Sequence, residues 1–328
     1  MAVGCFGGVC RREAGGCCYA GTRGRAPCSA GLDGAFATQV RVFSDDGKCV
    51  HDSALMKRAL EQARSLDAVI AQHAQDPRLT EGAQMNDGPL AATLGLEGWP
   101  AVAEESIIAR DVLLAESVGA RLHVCHLSTA GSVEVVRWAK ARGIAVTAEV
   151  TPHHLLLTEE RVVSFDPLFK VNPPLRREED TLALREAVAS GVIDIVATDH
   201  APHPSESKDC SFPEGAFGMV GLESALAVVL ATLVEPGLVT YQDVARIMSV
   251  VPASIGRVAG YEKPLGLGSP AHLTLVDPTA LAREPHGSLS RNNPYRGEEL
   301  KGRVVHTFYA GTQTVDDSGI VNLPERTA

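Results

Sequence analysis

Three β-branched runs in this sequence stop on a group able to hold a cation or move a proton. AVIAQH ends at His73, RLHVCH at His126 and IDIVATD at Asp199. A fourth run, QVRVFS, leads directly into Asp45 and Asp46, and Asp199 opens the cluster DHAPH that also contains His200 and His203. Each has a plain explanation when taken alone. A strand-end histidine is commonly a hydrogen-bonded structural residue, and Asp45-Asp46-Gly47 would pass as a turn. Together they point elsewhere, because parallel strands direct their C-terminal ends toward one mouth. Imidazoles and carboxylates gathered there without a cation would be poorly satisfied. The donor set, rich in nitrogen and oxygen and free of thiolate, suits Zn²⁺ or a similar divalent ion with a position left for water.

The elements that must position these groups follow from hydrophobic period. Short β-branched runs at 39–44, 68–73, 121–126, 144–150 and 193–199 alternate with helical patterns at 52–65, 104–119, 131–142 and 177–190, the signature of parallel βαβ units. Gly143 and Gly191 stand where C′ glycines end helices. Long loops at 76–100 and 202–219 each follow a strand, where α/β folds carry their chemistry. Helices are expected over 220–235, 240–249 and 252–258, and a small β unit over 266–278 and 302–315. Within HVCH (123–126), strand alternation sends His123 and His126 to opposite faces.

A net charge of −10 over 328 residues argues against a nucleic-acid partner, which requires clustered Lys and Arg. The longest clean apolar run, ALAVVLATLV, is half the length of a membrane span, so the reading is a soluble, cytoplasmic protein. Five of the eight cysteines crowd into the first 28 residues and none forms a CxxC pair. Cys49, Cys125 and Cys210 read as small core hydrophobes. Segment 1–36 is rich in Gly, Cys and Arg without helical or strand period; it reads as a misassigned start or a disordered tail.

The ordered series FSDDGK (43–48), QHAQDPRLTEG (72–82), HLSTAGS (126–132), AEVTPHHL (148–155), FKVNPPLR (169–176) and ATDHAPH (197–203) resembles dihydroorotase of the separate bacterial type, in the amidohydrolase superfamily. The resemblance runs from about residue 38 nearly to the C-terminus. It implies an α/β fold: an incomplete TIM-like (β/α)8 metal-dependent hydrolase barrel, about the last five strands over 37–262, with a small C-terminal β subdomain over 263–328. By the same resemblance Asp46 would bridge two metals, with Asp45 the alternative. His73 and His126 would complete one metal site, and Asp199 would bind the other metal and act as catalytic base. Asn172 and His203 would hold substrate together with Phe217 and Gly218. His153, His154 and His200 receive no such role. The implied reaction is reversible hydrolysis of the cyclic amide of dihydroorotate, or cyclisation of N-carbamoyl-L-aspartate, in pyrimidine biosynthesis. Related hydantoinases and allantoinases share the barrel.

The sequence departs from the family in one respect. The family's first barrel strand ends His-x-His followed by a substrate-gripping Arg, and no His-x-His occurs in these 328 residues. The expectation is therefore Zn²⁺ as one or two ions, with the first site incomplete and turnover impaired. A homodimer is the family's implied assembly. The alternative function is a non-catalytic partner of aspartate transcarbamoylase, the role of inactive chains that this one resembles.

Overall fold

A computed structural model describes residues 40–258, 261, 266–283 and 287–321. Segment 1–36 and the 262/263 boundary lie outside the described residues.

Five short strands form one all-parallel sheet: β1 (Val42–Ser44), β2 (Val69–Gln72), β5 (Arg121–Val124), β6 (Val146–Val150) and β7 (Ile195–Val196), adjacent in that order. The helices between them are α1 (Ser53–Ser65), α3 (Val102–Val118), α4 (Ala130–Ala141) and α6 (Glu178–Ala189). Side-chain alternation divides the sheet cleanly. Ile70, Leu122, Val124, Val146, Ala148, Val150 and Val196 join the helix-facing core with Leu60, Ile108, Val112, Val136 and Leu184. Residues of the other parity, among them His123, Thr147 and Glu149, face the opposite side. This sheet buries apolar groups on its helical face and polar ones on its inner face, so only the helical face reads as hydrophobic in sequence.

Helix ends are set by local chemistry. Asp52 Oδ1 accepts from the Leu55 amide at 2.7 Å at the start of α1, satisfying one orphan donor. Asp52→Ala is expected to cost about 1 kcal/mol, seen as a lower urea midpoint with unchanged m-value. Gly143 and Gly191 follow α4 and α6 with φ of 76° and 75°, the left-handed C′ conformation anticipated for them.

The 76–100 loop is more structured than a loop reading implies. It holds a two-residue parallel pair, β3 (Met85–Asn86) with β4 (Gly98–Trp99), and the short helix α2 (Pro89–Leu94) between them. After a short helix α5 (Pro152–Leu156) and the strand β7 come α7 (Ala225–Val229), α8 (Tyr241–Ala245) and α9 (Val251–Gly256), with π turns at Leu230–Val234 and Arg246–Val250. Strands β8 (Leu273–Leu281), β9 (Lys301–Tyr309), β10 (Thr312–Asp316) and β11 (Gly319–Ile320) form a separate four-stranded antiparallel sheet. No helix among the described residues is long and apolar enough to cross a membrane.

Candidate metal centre and active site

Asp46, His73 and His126 converge just beyond the C-terminal ends of β1, β2 and β5. Asp46 Oδ1 lies 3.5 Å from His73 Nδ1 and 3.5 Å from His126 Nε2. The two ring nitrogens are 2.8 Å apart. His126 reaches this position because β5 ends at Val124 and His126 has φ of 34°, a left-handed conformation uncommon outside glycine. The expectation that His123 and His126 face opposite sides is therefore corrected: alternation stops with the strand, and the turn brings the His126 ring onto His73.

The electrostatics of the three groups are coupled. Burial alone would push the Asp46 carboxyl up, but hydrogen bonds and charge from His126 and His73 hold it well below the usual carboxylate range. Burial pulls His126 down, and the facing Asp46 carboxylate reverses this and raises it to about 9. Such a cluster holds positive charge strongly, whether as protons or as a cation.

Gln75 organises the neighbourhood. Its Oε1 accepts from His73 Nε2 at 2.7 Å and from Asn172 Nδ2 at 3.1 Å, while its Nε2 donates to Thr80 Oγ1 at 2.8 Å. A proton held on His73 Nε2 leaves Nδ1 as a lone pair aimed at Asp46 and His126, the outer-shell arrangement of metal-ligating histidines. Asn172 Oδ1 is buried with no hydrogen-bond partner among the described residues, an acceptor costly to bury unless a ligand satisfies it.

Asp199 follows β7 by three residues with φ of 44°. Burial pushes its carboxyl up; the charges of His126 and His73 oppose this, and that of Asp46 adds to it. His203 Nε2 donates to the Phe217 carbonyl at 2.8 Å, and the Gly218 amide donates to the Lys170 carbonyl at 2.9 Å. A Cβ on Gly218 would stand 2.7 Å from Ala201 Cβ and 2.8 Å from His203 Nε2, so only glycine lets His203 approach. His200 Nδ1 accepts from the Gly221 amide at 3.1 Å. His154 is buried, bonded to Thr151 Oγ1 at 2.8 Å and to the Pro173 and Pro174 carbonyls.

Two residues that sequence reasoning passed over stitch the surrounding loops. Asn292 Nδ2 donates to the Ala201 and Gly218 carbonyls, and its Oδ1 accepts from the His203 amide. Fully buried Arg176 donates to Ser128 Oγ, Asn86 Oδ1 and the Trp99 carbonyl. Asn292 sits in a stretch without recognised pattern; Arg176 closes the motif FKVNPPLR, where a cation after two prolines gave no hint of its partners.

The comparisons with known proteins agree with the geometry. A family model described as Dihydro-orotase-like matches residues 31–132. A dihydroorotase of Streptomyces coelicolor is 59% identical over 94% of this chain and 73% of its own length. One from Leifsonia xyli subsp. xyli is 63% identical over 86% of this chain and 65% of its own. The chain thus spans about two thirds to three quarters of these relatives. The crystal structure of dihydropyrimidinase from Brevibacillus agri NCHU1002 superimposes with a TM-score of 0.78 at 21% identity, covering 90% of this chain and 69% of that one, a likeness of fold.

Proposed function

The chain belongs to the dihydroorotase family, and from that premise we propose that it acts as a metal-dependent cyclic amide hydrolase interconverting dihydroorotate and N-carbamoyl-aspartate. The observation that carries this reading is the convergence of Asp46 Oδ1, His73 Nδ1 and His126 Nε2 within 4.8 Å of one another at the strand ends. Two imidazoles and a carboxylate fit a divalent ion of the zinc type, and the Gln75 contact on His73 Nε2 fits the tautomer such a ligand needs. When bound, that ion supplies Lewis-acid polarisation and lowers the pKa of water toward neutrality.

The chain's own residues supply the rest. Asp199 would accept the proton lost by the attacking water and return it to the leaving ring nitrogen, so the proton count closes over one turnover. Its desolvated surroundings, which push the carboxyl up, suit a group that must hold a proton briefly. Asn172 Oδ1, buried without a partner among the described residues, would accept from a ring N–H of substrate. His203, with Nε2 committed to Phe217, would offer its other edge to the substrate carboxylate. The 328 residues contain no His-x-His, so this reading assigns one ion to the three-donor set.

Gln75→Ala is expected to weaken zinc binding at the three-donor set by about 10- to 100-fold, measured by competition with a chromophoric chelator. For the activity, the zinc-loaded chain is assayed for loss of dihydroorotate and for appearance of N-carbamoyl-aspartate. Chelator-sensitive turnover is the expected result. A folded, zinc-loaded chain that leaves dihydroorotate untouched while opening hydantoin overturns the substrate; one that opens neither overturns the activity.

A further inference from the structure

Deeper in the same sheet, a second group of donors converges that takes no part in the site above. His123 has the inner parity of β5, opposite the helix-packed Leu122 and Val124, and Glu149 that of β6; Cys125 follows the end of β5, and its amide donates to the Gln72 carbonyl. His123 Nε2 lies 2.9 Å from Glu149 Oε2. One ligand atom from each of His123, Cys125 and Glu149 falls within 4.8 Å of the others. The three residues are 0%, 5% and 3% exposed.

We propose that His123, Cys125 and Glu149 form an interior site for a thiophilic divalent cation of the zinc type, separate from the Asp46–His73–His126 set. The donor chemistry is the first argument: one thiol, one imidazole and one carboxylate are the ligand types zinc takes, and three of them satisfy all but one position of a tetrahedron. The sulfur also separates this site from the mouth, whose donors are nitrogen and oxygen only and favour harder or borderline ions.

Charge balance is the second argument. A buried carboxylate in dry surroundings is costly unless compensated. With a divalent ion in place, Glu149 and the Cys125 thiolate cancel its charge, and the cluster becomes neutral. Binding breaks the Cys125 S–H bond, forms a sulfur–metal bond and releases one proton to solvent, as coordinated cysteine requires. The third argument is the contact behind the imidazole. His123 Nδ1 is 2.8 Å from Thr147 Oγ1. A hydroxyl can donate or accept; with Nε2 on the ion, Nδ1–H donates to Thr147 and fixes the ring, the outer-shell partner that metal-bound histidines keep.

The test uses the full chain, stripped with chelator and titrated with Co²⁺ as the probe. Because the mouth has no sulfur donor, a sulfur-to-cobalt charge-transfer band in the near ultraviolet reports a cysteine-containing site alone. The expected band saturates at one equivalent of cobalt in the His73→Ala, His126→Ala double variant, is also present in the parent chain, and is lost in Cys125→Ala. Glu149→Gln is expected to weaken it at least tenfold in cobalt affinity. Cys125→Ser, read alongside, guards against misfolding of the alanine variant. Absence of the band in a chain that binds cobalt at the mouth overturns the proposal and leaves His123–Glu149 as a simple hydrogen-bonded pair. A band unchanged by both Cys125 substitutions overturns it equally, since the thiolate then lies elsewhere. Neither result bears on dihydroorotate turnover, which is read separately.

Discussion

Asp199→Asn is expected to lower turnover of dihydroorotate by about 10²- to 10⁴-fold, while zinc affinity at the Asp46–His73–His126 set changes only a few-fold. The size follows from the role. A positioned general acid–base group contributes about that factor, or about 3–5 kcal/mol of barrier at 1.36 kcal/mol per decade. Asparagine keeps the volume and one acceptor oxygen but cannot carry a proton from water to the leaving nitrogen. The surroundings of Asp199 sharpen the contrast. Burial raises its carboxyl above the usual carboxylate range, and the charges of His126 and His73 oppose that rise, a direction that favours a group asked to accept a proton. The substrate contacts assigned to Asn172 and His203 are made by other side chains, so KM should move far less than kcat. The measurement is kcat and KM on folded, zinc-loaded protein. A variant with kcat within tenfold of the parent removes Asp199 from proton transfer and makes it a structural residue.

How much of this was legible beforehand depends on whether a residue's partner is local. The alternation of strands and helices could be read because each strand's helix-facing residues, such as Leu122 with Val124 or Val146 with Ala148, are apolar and close in sequence. Asp46, His73 and His126 could be read because each stands at the end of such a run, where a parallel sheet must bring side chains together. Gln75, Asn292 and Arg176 could not. Asn172 and Gln75 are 97 residues apart, His203 and Asn292 89, Arg176 and Asn86 90, and no periodicity links polar residues across such distances. The His123–Glu149 pair depends on register: Leu122 opposes Val146 and His123 opposes Thr147, a fact the two runs do not carry separately. The turn at His126 escaped because histidine, although enriched among non-glycine residues at positive φ, adopts it in only a small minority of positions. The π turns in the 225–250 region escaped because one wider turn within a helix leaves its apolar composition unchanged.

Arg176→Ala is expected to destabilise the fold by about 3–5 kcal/mol, the range for breaking a buried charged network by removing one partner. Arg176 is 1% exposed and reaches three segments at once: Ser128 Oγ at 3.0 Å, Asn86 Oδ1 at 2.8 Å and the Trp99 carbonyl at 2.7 Å. Ser128 in turn donates to both carboxylate oxygens of buried Glu104, so the guanidinium offsets a carboxylate it meets through a hydroxyl. Burial pulls its pKa down, and the charges of nearby Glu104 and Asp180 oppose that shift; a guanidinium stays cationic through its intrinsic basicity. Alanine removes the compensating charge, strands the Asn86 oxygen, leaves the Trp99 carbonyl with the Asp87 amide as its remaining donor, and opens a cavity in tightly packed surroundings. Lysine should recover only part of the loss, because a point charge on a flexible stem cannot span a side-chain amide, a carbonyl and a hydroxyl as a planar fork does. The consequence reaches the active site by connectivity. Asn86 and Trp99 belong to the β3–β4 pair of the 76–100 loop, and Thr80 of that loop accepts from Gln75, which holds His73. Urea unfolding gives the stability change, and the zinc affinity of the folded variant gives the local one. If Arg176→Met matches the parent in both, the apolar contacts of Trp99 with Ala83, Ala103 and Phe217 hold the loop, and the buried charges serve specificity of folding rather than stability.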